Sequence, residues 1–422
     1  MTVAFFEFNF YLATVIDRDR RYIMSAFISL NSWNQPGAIL QAAEPEEIVE
    51  GGPQEWEKLR ETLARRRKTG RDSVHPQSAA VGYITYEGAF RFAWFPKIAL
   101  LAENGFSGMW NQRLASEVAR DLRARVRRPE VDGYHWQPNQ SRAEFESRVA
   151  RAQEYIAAGD IYQANLAQKF STPFAGNPYR LFEHLLARSP APGGAFLDFG
   201  GGSDGVRVLS ASPELFLRIR GRHITTRPIK GTRPRSRDPI RDEQLAFELQ
   251  TDPKELAELV MITDLERNDL GQICEYGSVT VTQLVQLERY AQVFHLVSTI
   301  EGMLRPGVDA LDAVRACLPG GSISGAPKKR ACEIIAELEP CPRGIYTGII
   351  GYFDDNGDAA FSIAIRTMIL EGENLHFSVG SGITAGSVPA REYEETLHKA
   401  AGMQMALEAY QNNVAAVYDR RT

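Results

Sequence analysis

From Ser141 onward the strand-like segments come in adjacent pairs between helices, and this pairing constrains the fold more than any other feature of the chain. A parallel sheet needs a crossover, usually a helix, between successive strands, whereas adjacent strands pair antiparallel through short turns. The spacing predicts helices over 141–158, 178–188, 241–262, 309–317, 326–338 and 390–411. Strands are expected near 161–171, 207–219, 223–229, 278–287, 347–354, 360–370 and 374–380, with the glycines of 200–205 serving a hairpin. The expected class is therefore α+β with antiparallel sheets. Before Ser141 the text is less regular: a charged helix over Glu55–Lys68, strands over 79–103, an Arg-rich helix over 110–128 and a linker over 128–140. The organisation read from this is an N-terminal region over 1–140, a catalytic region over 141–412 and a tail over 413–422.

The 422 residues, 44% of them hydrophobic, are enough for a large core. A net charge of -5 gives no general basic footprint, so nucleic acid is not an expected partner, and Arg65, Arg66 and Arg67 read as a solvated helix face. Cys274, Cys317, Cys332 and Cys341 have neither zinc-type spacing nor a disulfide framework, which suits a reducing cytoplasm. Glu7 and Asn9 interrupt the apolar start, and no stretch approaches about twenty apolar residues, so neither a leader nor a membrane span is expected.

Lys230, between Ile229 and Gly231 at the end of a strand-like run, is the candidate nucleophile: cationic Arg227 and Arg233 nearby, with partial burial, favour the free amine. The glycine-bearing segment over 320–328 is not an ATP loop, because Ala326 and Pro327 stand where Lys and Ser/Thr are needed. It still opens a helix, so its backbone donors and the Ser324 hydroxyl are suited to a carboxylate. Glu255 and Glu258 share one helix face, and Glu392 and Glu395 repeat that spacing on the last helix. Four such carboxylates suit one hard divalent cation, or else two solvated helix faces. Arg366, inside the apolar run Ile363–Thr367, needs a partner, either a structural ion pair or a carboxylate ligand held bidentately.

Six motifs in order, PIKGTRPR at 228–235, DLERNDLG at 264–271, GGSISGAPKKR at 320–330, YTGIIGY at 346–352, IAIRT at 363–367 and EYEET at 392–396, resemble those of the chorismate-utilising enzymes. The resemblance runs from about Ser141 to about Ala406 and is loose before that. It implies a four-layer α/β/β/α core of two large packed antiparallel sheets with outer helices. Within the family, PIKGT is characteristic of component I of aminodeoxychorismate synthase, where anthranilate synthases typically carry alanine in place of the lysine. The implied reaction is amination of chorismate at C4 to 4-amino-4-deoxychorismate, on the way to 4-aminobenzoate and folate. The Lys230 amine would attack C2 as the C4 hydroxyl leaves, and ammonia would then add at C4 and expel the lysine. Glu214, matching the family's acid, would protonate the leaving hydroxyl and must be neutral to do so.

By the same match, Glu258 and Glu395 would hold Mg2+ with Glu255 and Glu392 in support. Arg366, Tyr346 and the Gly380–Ser381–Gly382 backbone would cradle the enolpyruvyl carboxylate, Lys399 would reach the ring carboxylate, and His295 and Ser324 would line the ring. Isochorismate and salicylate synthases typically carry a lysine base in the strand where this chain has Gln163. Anthranilate synthesis, with loss of pyruvate, is the alternative activity, although the Leu-Leu-Glu-Ser element of tryptophan-regulated members is missing. The alternative of another class is a noncatalytic chorismate-binding subunit. Ser324 replaces a common threonine, Ser381 interrupts a usual triple glycine and Gly386 replaces a common aspartate. No cysteine sits in a glutaminase nucleophile elbow, so a glutamine amidotransferase subunit is the expected partner and source of ammonia.

Overall fold

Every residue of the strand Ala79–Ile84 is buried, so this strand has no solvent face and must lie inside a layered structure. Because successive side chains point to opposite faces, its residues divide between two cores. Ala79, Val81 and Tyr83 pack in one, and Ala80 and Ile84 in the other. The computed structural model describes residues 25–29, 38–43, 45–67, 78–96, 98–102, 135–200, 205–290 and 292–419.

Two ten-stranded sheets account for this burial, and every strand pair in them is antiparallel. The first runs Gly325–Ala326, Gln163–Pro173, Asn374–Ile383, Thr367–Glu371, Val206–Ser212, Gly193–Asp198, Ser25–Ser29, Ala38–Ala43, Ile98–Ala102, with Gln137–Pro138 paired to its second strand. The second runs Ile229–Pro234, Val293–Met303, His223–Arg227, Leu215–Arg220, Ala359–Ile363, Ile349–Asp354, Ala79–Ile84, Phe90–Phe95, Glu47–Gly51, with Thr280–Arg289 paired to Val293–Met303.

Three cores separate four layers. Ala195, Leu197, Val208 and Ile369 of the first sheet meet Val81, Phe95, Ile350 and Tyr352 of the second, filling the space between the sheets. On the far side of the second sheet, Phe92 and Phe361 pack against Trp56 and Leu59 of helix Trp56–Arg66 and Leu311 and Val314 of helix Ala310–Cys317. On the far side of the first, Phe196, Leu209 and Phe377 pack against Leu181, Phe182 and Leu185 of helix Pro178–Arg188 and Met403 and Leu407 of helix Pro389–Asp419. The architecture is thus α/β/β/α, and strands from before residue 140 extend both sheets.

Four local readings are corrected. The helix expected over 241–262 is two helices, Pro239–Thr251 and Pro253–Gly271. Pro253 cannot continue the first, while Asp252 caps the second by accepting from the Lys254 and Glu255 N–H groups. The strands expected over 207–219 and 360–370 each split between the two sheets. Val293–Met303, not anticipated at all, pairs with three strands. The helix expected over 110–128, most of the linker over 128–140 and turn residues 201–204 lie outside the described residues.

Phe361 is fully buried and lies 4.8 Å from Phe353 and 6.2 Å from Phe92, ring centre to ring centre. Phe361→Ala is expected to lower the unfolding free energy by about 3–5 kcal/mol in a denaturant titration.

Candidate functional site

The site forms where the chain passes from one sheet to the other. Pro213 and Glu214 bridge strand Val206–Ser212 of the first sheet to Leu215–Arg220 of the second. Ala364, Ile365 and Arg366 make the return passage, from Ala359–Ile363 to Thr367–Glu371. The two passages lie side by side: the Ile363 N–H donates to the Glu214 carbonyl at 3.1 Å and the Ala211 N–H to the Arg366 carbonyl at 3.0 Å. Arg366 is therefore not inside a strand, as its apolar neighbours suggested, and has a φ of 49°. Thr347, whose N–H donates to the Ala364 carbonyl at 2.9 Å, has a φ of 60°. Such backbone is costly for arginine and more so for a β-branched residue, and the surrounding ladder must hold it.

Lys230 enters from the edge strand of the second sheet. Gly231, at φ 70°, makes a bulge between Lys230 and Thr232 against Val293–Met303. The Lys230 Nζ donates to the Ser322 carbonyl at 3.2 Å. The flanking arginines are not free cations: Arg227 pairs with Glu288, and Arg233 lies 3.0 Å from Asp252 and 3.5 Å from Glu255.

Glu214 is buried, and that burial raises its carboxyl above the usual range, with the Ser322 side chain, Lys230, the Ile229 N–H and Arg366 opposing the shift. Those opponents show what surrounds it: a lysine ammonium, a loop hydroxyl, a backbone N–H and a guanidinium. Burial also depresses the Arg366 guanidinium, with only Glu214 opposing, and among the described residues no carboxylate reaches ion-pair distance of it. His295, buried and near Arg366, is pushed down to about 4 and is neutral at pH 7; its Nδ1 lies 3.1 Å from the Thr232 hydroxyl and 3.2 Å from the Gly231 carbonyl.

Tyr346 and the strand Asn374–Ile383 form the facing wall. A Cβ at Gly380 would stand 3.0 Å from the Tyr346 hydroxyl, and one at Gly382 would collide with the Gln163 amide, so only glycine fits this approach. Gln163 is buried and its Oε1 has no partner. Ser324 is buried with its hydroxyl already donating to the Gly320 carbonyl at 2.8 Å. Lys399 donates to the Gly380 carbonyl at 2.9 Å and pairs with Glu395 at 2.7 Å.

The four glutamates of the two helices come together around Lys254. Its ammonium lies 3.8 Å from Glu258 Oε1 and 3.7 Å from Glu392 Oε1. Burial opposes its charge, but Glu392, Glu258, Glu395 and Glu255 together raise its pKa. Burial raises Glu258, helped by Glu255 and Glu395 and opposed by Lys230 and Lys254. Against its own burial, Glu395 is held below the usual range by Lys399 and Lys254, with Ser381 adding a hydrogen bond. Ser381 also donates to Glu392 Oε2. No three of the described carboxylates are already gathered as a metal-ligand cluster.

Sequence reasoning missed three supporting groups. Buried Arg343 joins Glu339 at 2.6 Å, the Asn165 carbonyl at 2.6 Å and the Ile323 carbonyl at 2.9 Å, fixing the loop before Tyr346. Its place three residues before Tyr346 was the available signal. Glu266, inside the DLERNDLG run, is buried behind Glu214 and accepts from the Thr226 hydroxyl at 2.8 Å. Lys254, half exposed in the first turn of its helix, carries no local signal that sets it apart from a surface lysine.

The paired sheet crossovers thus bring together a lysine, a buried acid and an arginine with no carboxylate at ion-pair distance among the described residues. The chain belongs to the chorismate binding enzyme family, whose model matches residues 26–405. Anthranilate synthase component 1 of Streptomyces coelicolor is 48% identical over 272 residues, 64% of this chain and 53% of that one. Aminodeoxychorismate synthase component 1 of Bacillus subtilis is 41% identical over 300 residues, 71% of this chain and 62% of that one. The chain thus spans a little over half the length of these curated relatives. The crystal structure of anthranilate synthase component I from Streptococcus pneumoniae superposes with a TM-score of 0.69 at 28% identity, covering 92% of this chain and 93% of that one.

Burial, with Glu214 and Asp269 adding, pushes the Glu266 carboxyl up to about 8. A folded pKa above the unfolded value means that this group's contribution is fully present below about 4.5 and is lost as pH rises through about 8. Glu266→Gln keeps a hydrogen-bonding side chain at Thr226 without a titrating group. Its melting temperature is expected to fall less than that of the wild type between pH 5 and pH 8, read by thermal denaturation across that range.

Proposed function

We propose that the protein aminates chorismate at C4, forming 4-amino-4-deoxychorismate through a covalent bond to Lys230. The observation that carries this reading is the meeting of Lys230 and a buried Glu214 with a raised pKa, opposite an arginine that has no carboxylate partner among the described residues. The Lys230 amine attacks C2 of the ring. The two conjugated ring double bonds move from C1=C2 and C5=C6 to C1=C6 and C4=C5 as the C4–O bond breaks, and the Glu214 proton leaves with the hydroxyl as water. Ammonia then forms the C4–N bond and the C2–Nζ bond breaks, returning the electron pair to Lys230. The atoms balance as chorismate plus ammonia giving aminodeoxychorismate plus water.

Arg366 and the glycine wall beside Tyr346 accept the enolpyruvyl carboxylate, which supplies the guanidinium's missing partner. Neutral His295 and Ser324 bound the ring, and Lys399 lies toward the ring carboxylate. Glu258, with a buried oxygen that lacks a hydrogen-bond partner, and Glu255, Glu392 and Glu395 have the all-oxygen donor chemistry of Mg2+. They would hold that ion, which when bound neutralises a substrate carboxylate.

Ammonia is supplied by a glutamine amidotransferase subunit. Relatives named component 1 support a further component. Burial drives the Cys274 thiol up to about 11 and raises Cys317 well above the ordinary thiol range, so neither is an activated nucleophile. Anthranilate synthesis is the second reading, favoured by the name of the Streptomyces coelicolor relative.

Purified protein given chorismate, Mg2+ and ammonium at alkaline pH is expected to yield aminodeoxychorismate, identified by mass spectrometry. Lys230→Ala should remove that product. Glu214→Gln should lower kcat by about 10²–10⁴-fold with KM little changed. Anthranilate with pyruvate would sink the C4 assignment, and absence of turnover with chorismate still bound would point to a noncatalytic subunit.

A further inference from the structure

The four glutamates form two close pairs on facing helices, a concentration of negative charge that ordinarily repels itself apart. Here an ammonium of the protein's own, Lys254, stands between Glu258 of one helix and Glu392 of the other, while Arg233 pairs with Glu255 and Lys399 with Glu395. Lys254 follows Pro253 in the first turn of the helix that carries Glu255 and Glu258, so its stem is fixed beside both. Its ammonium is 3.8 Å from Glu258 Oε1 and 3.7 Å from Glu392 Oε1, bridging the two helices. Neither contact is a close hydrogen bond, and Glu258 Oε1 has no hydrogen-bond partner among the described residues. The lysine side chain is 50% exposed, whereas those of Glu258 and Glu392 are 12% and 4% exposed. Those two carboxylates are therefore held in place while the cation can swing into water.

We propose that the Lys254 ammonium is an internal plug of the four-glutamate site, which a divalent cation must displace in order to bind. This rests on the Mg2+ reading of the glutamates and adds to it a competitor built into the chain. It accounts for the bridging of Glu258 and Glu392 across the two helices by one half-exposed ammonium. A small dication placed among them would take over the neutralising role, and the long, flexible lysine stem would carry the released ammonium outward. Cation affinity is then set by the difference between the two neutralised states, so removing the lysine charge should tighten binding. Glu395 is less affected, because Lys399 pairs with it directly.

The test is binding of Mn2+ alone, followed by calorimetry and by the loss of its free electron-paramagnetic-resonance signal, to wild type, Lys254→Met, Lys254→Gln and Lys254→Arg. The two neutral variants should bind Mn2+ about tenfold more tightly than wild type, as expected when a competing charge near 4 Å is removed from a half-exposed site. Lys254→Arg, which keeps the charge, should bind no more tightly than wild type. Without metal the neutral variants should melt at lower temperature than wild type and regain that loss when Mn2+ is added. Equal or weaker Mn2+ binding by a neutral variant would overturn the plug while leaving the metal site standing. Absence of Mn2+ binding by all four proteins would overturn the metal reading and the plug with it.

Discussion

The paired crossovers between the sheets are the constraint on which the site depends. Glu214 and Arg366 sit where two neighbouring strands leave one sheet for the other, and each passage is tied to its neighbour by a backbone hydrogen bond. That linkage places a buried acid and a buried guanidinium near each other where the chain crosses between the two sheets. The cost is visible in the backbone, with Arg366 and Thr347 both held at positive φ. Two ten-stranded sheets with a filled core between them supply the rigidity that holds those torsions.

Charge around this space is arranged in layers. Arg227 and Arg233 are matched by Glu288, Asp252 and Glu255, which leaves Lys230 as the cation nearest Glu214 on its strand. Behind Glu214 lie Glu266 and Asp269, the latter raised to about 6 by burial despite its pairing with Lys328. Burial favours the neutral form of Glu214, and Glu214 in turn adds to the burial that raises Glu266. Arg366 is the one guanidinium in this group that burial depresses, and Glu214 alone opposes that shift. A substrate carboxylate is the natural complement to that imbalance.

Much of this was legible in contiguous residues. The lysine before Gly231, the glutamate pairs at i, i+3 and the run around Arg366 each carry their chemistry within a few positions. What sequence periodicity could not show was where the chain changes sheets. The run over 360–370 stays apolar through Ala364 and Ile365, so the passage reads as one strand. Val293–Met303 escaped because it is buried on both faces, polar His295, Ser298 and Thr299 included, which erases the period-two signal. The helix break at Pro253 was signalled by the proline itself, and the glutamate spacing drew attention past it. Roles such as that of Arg343 depend on partners far apart in the chain, and no local pattern marks them.

The proposed amination requires a covalent bond between substrate and Lys230. Protein incubated with chorismate and Mg2+ without ammonia, quenched rapidly and examined by intact-mass and peptide mass spectrometry, should gain the mass of chorismate less one water on the peptide containing Lys230. Addition of ammonium before the quench should discharge it. An adduct on another residue, or turnover with ammonium but no adduct at any quench time in its absence, would contradict the covalent route.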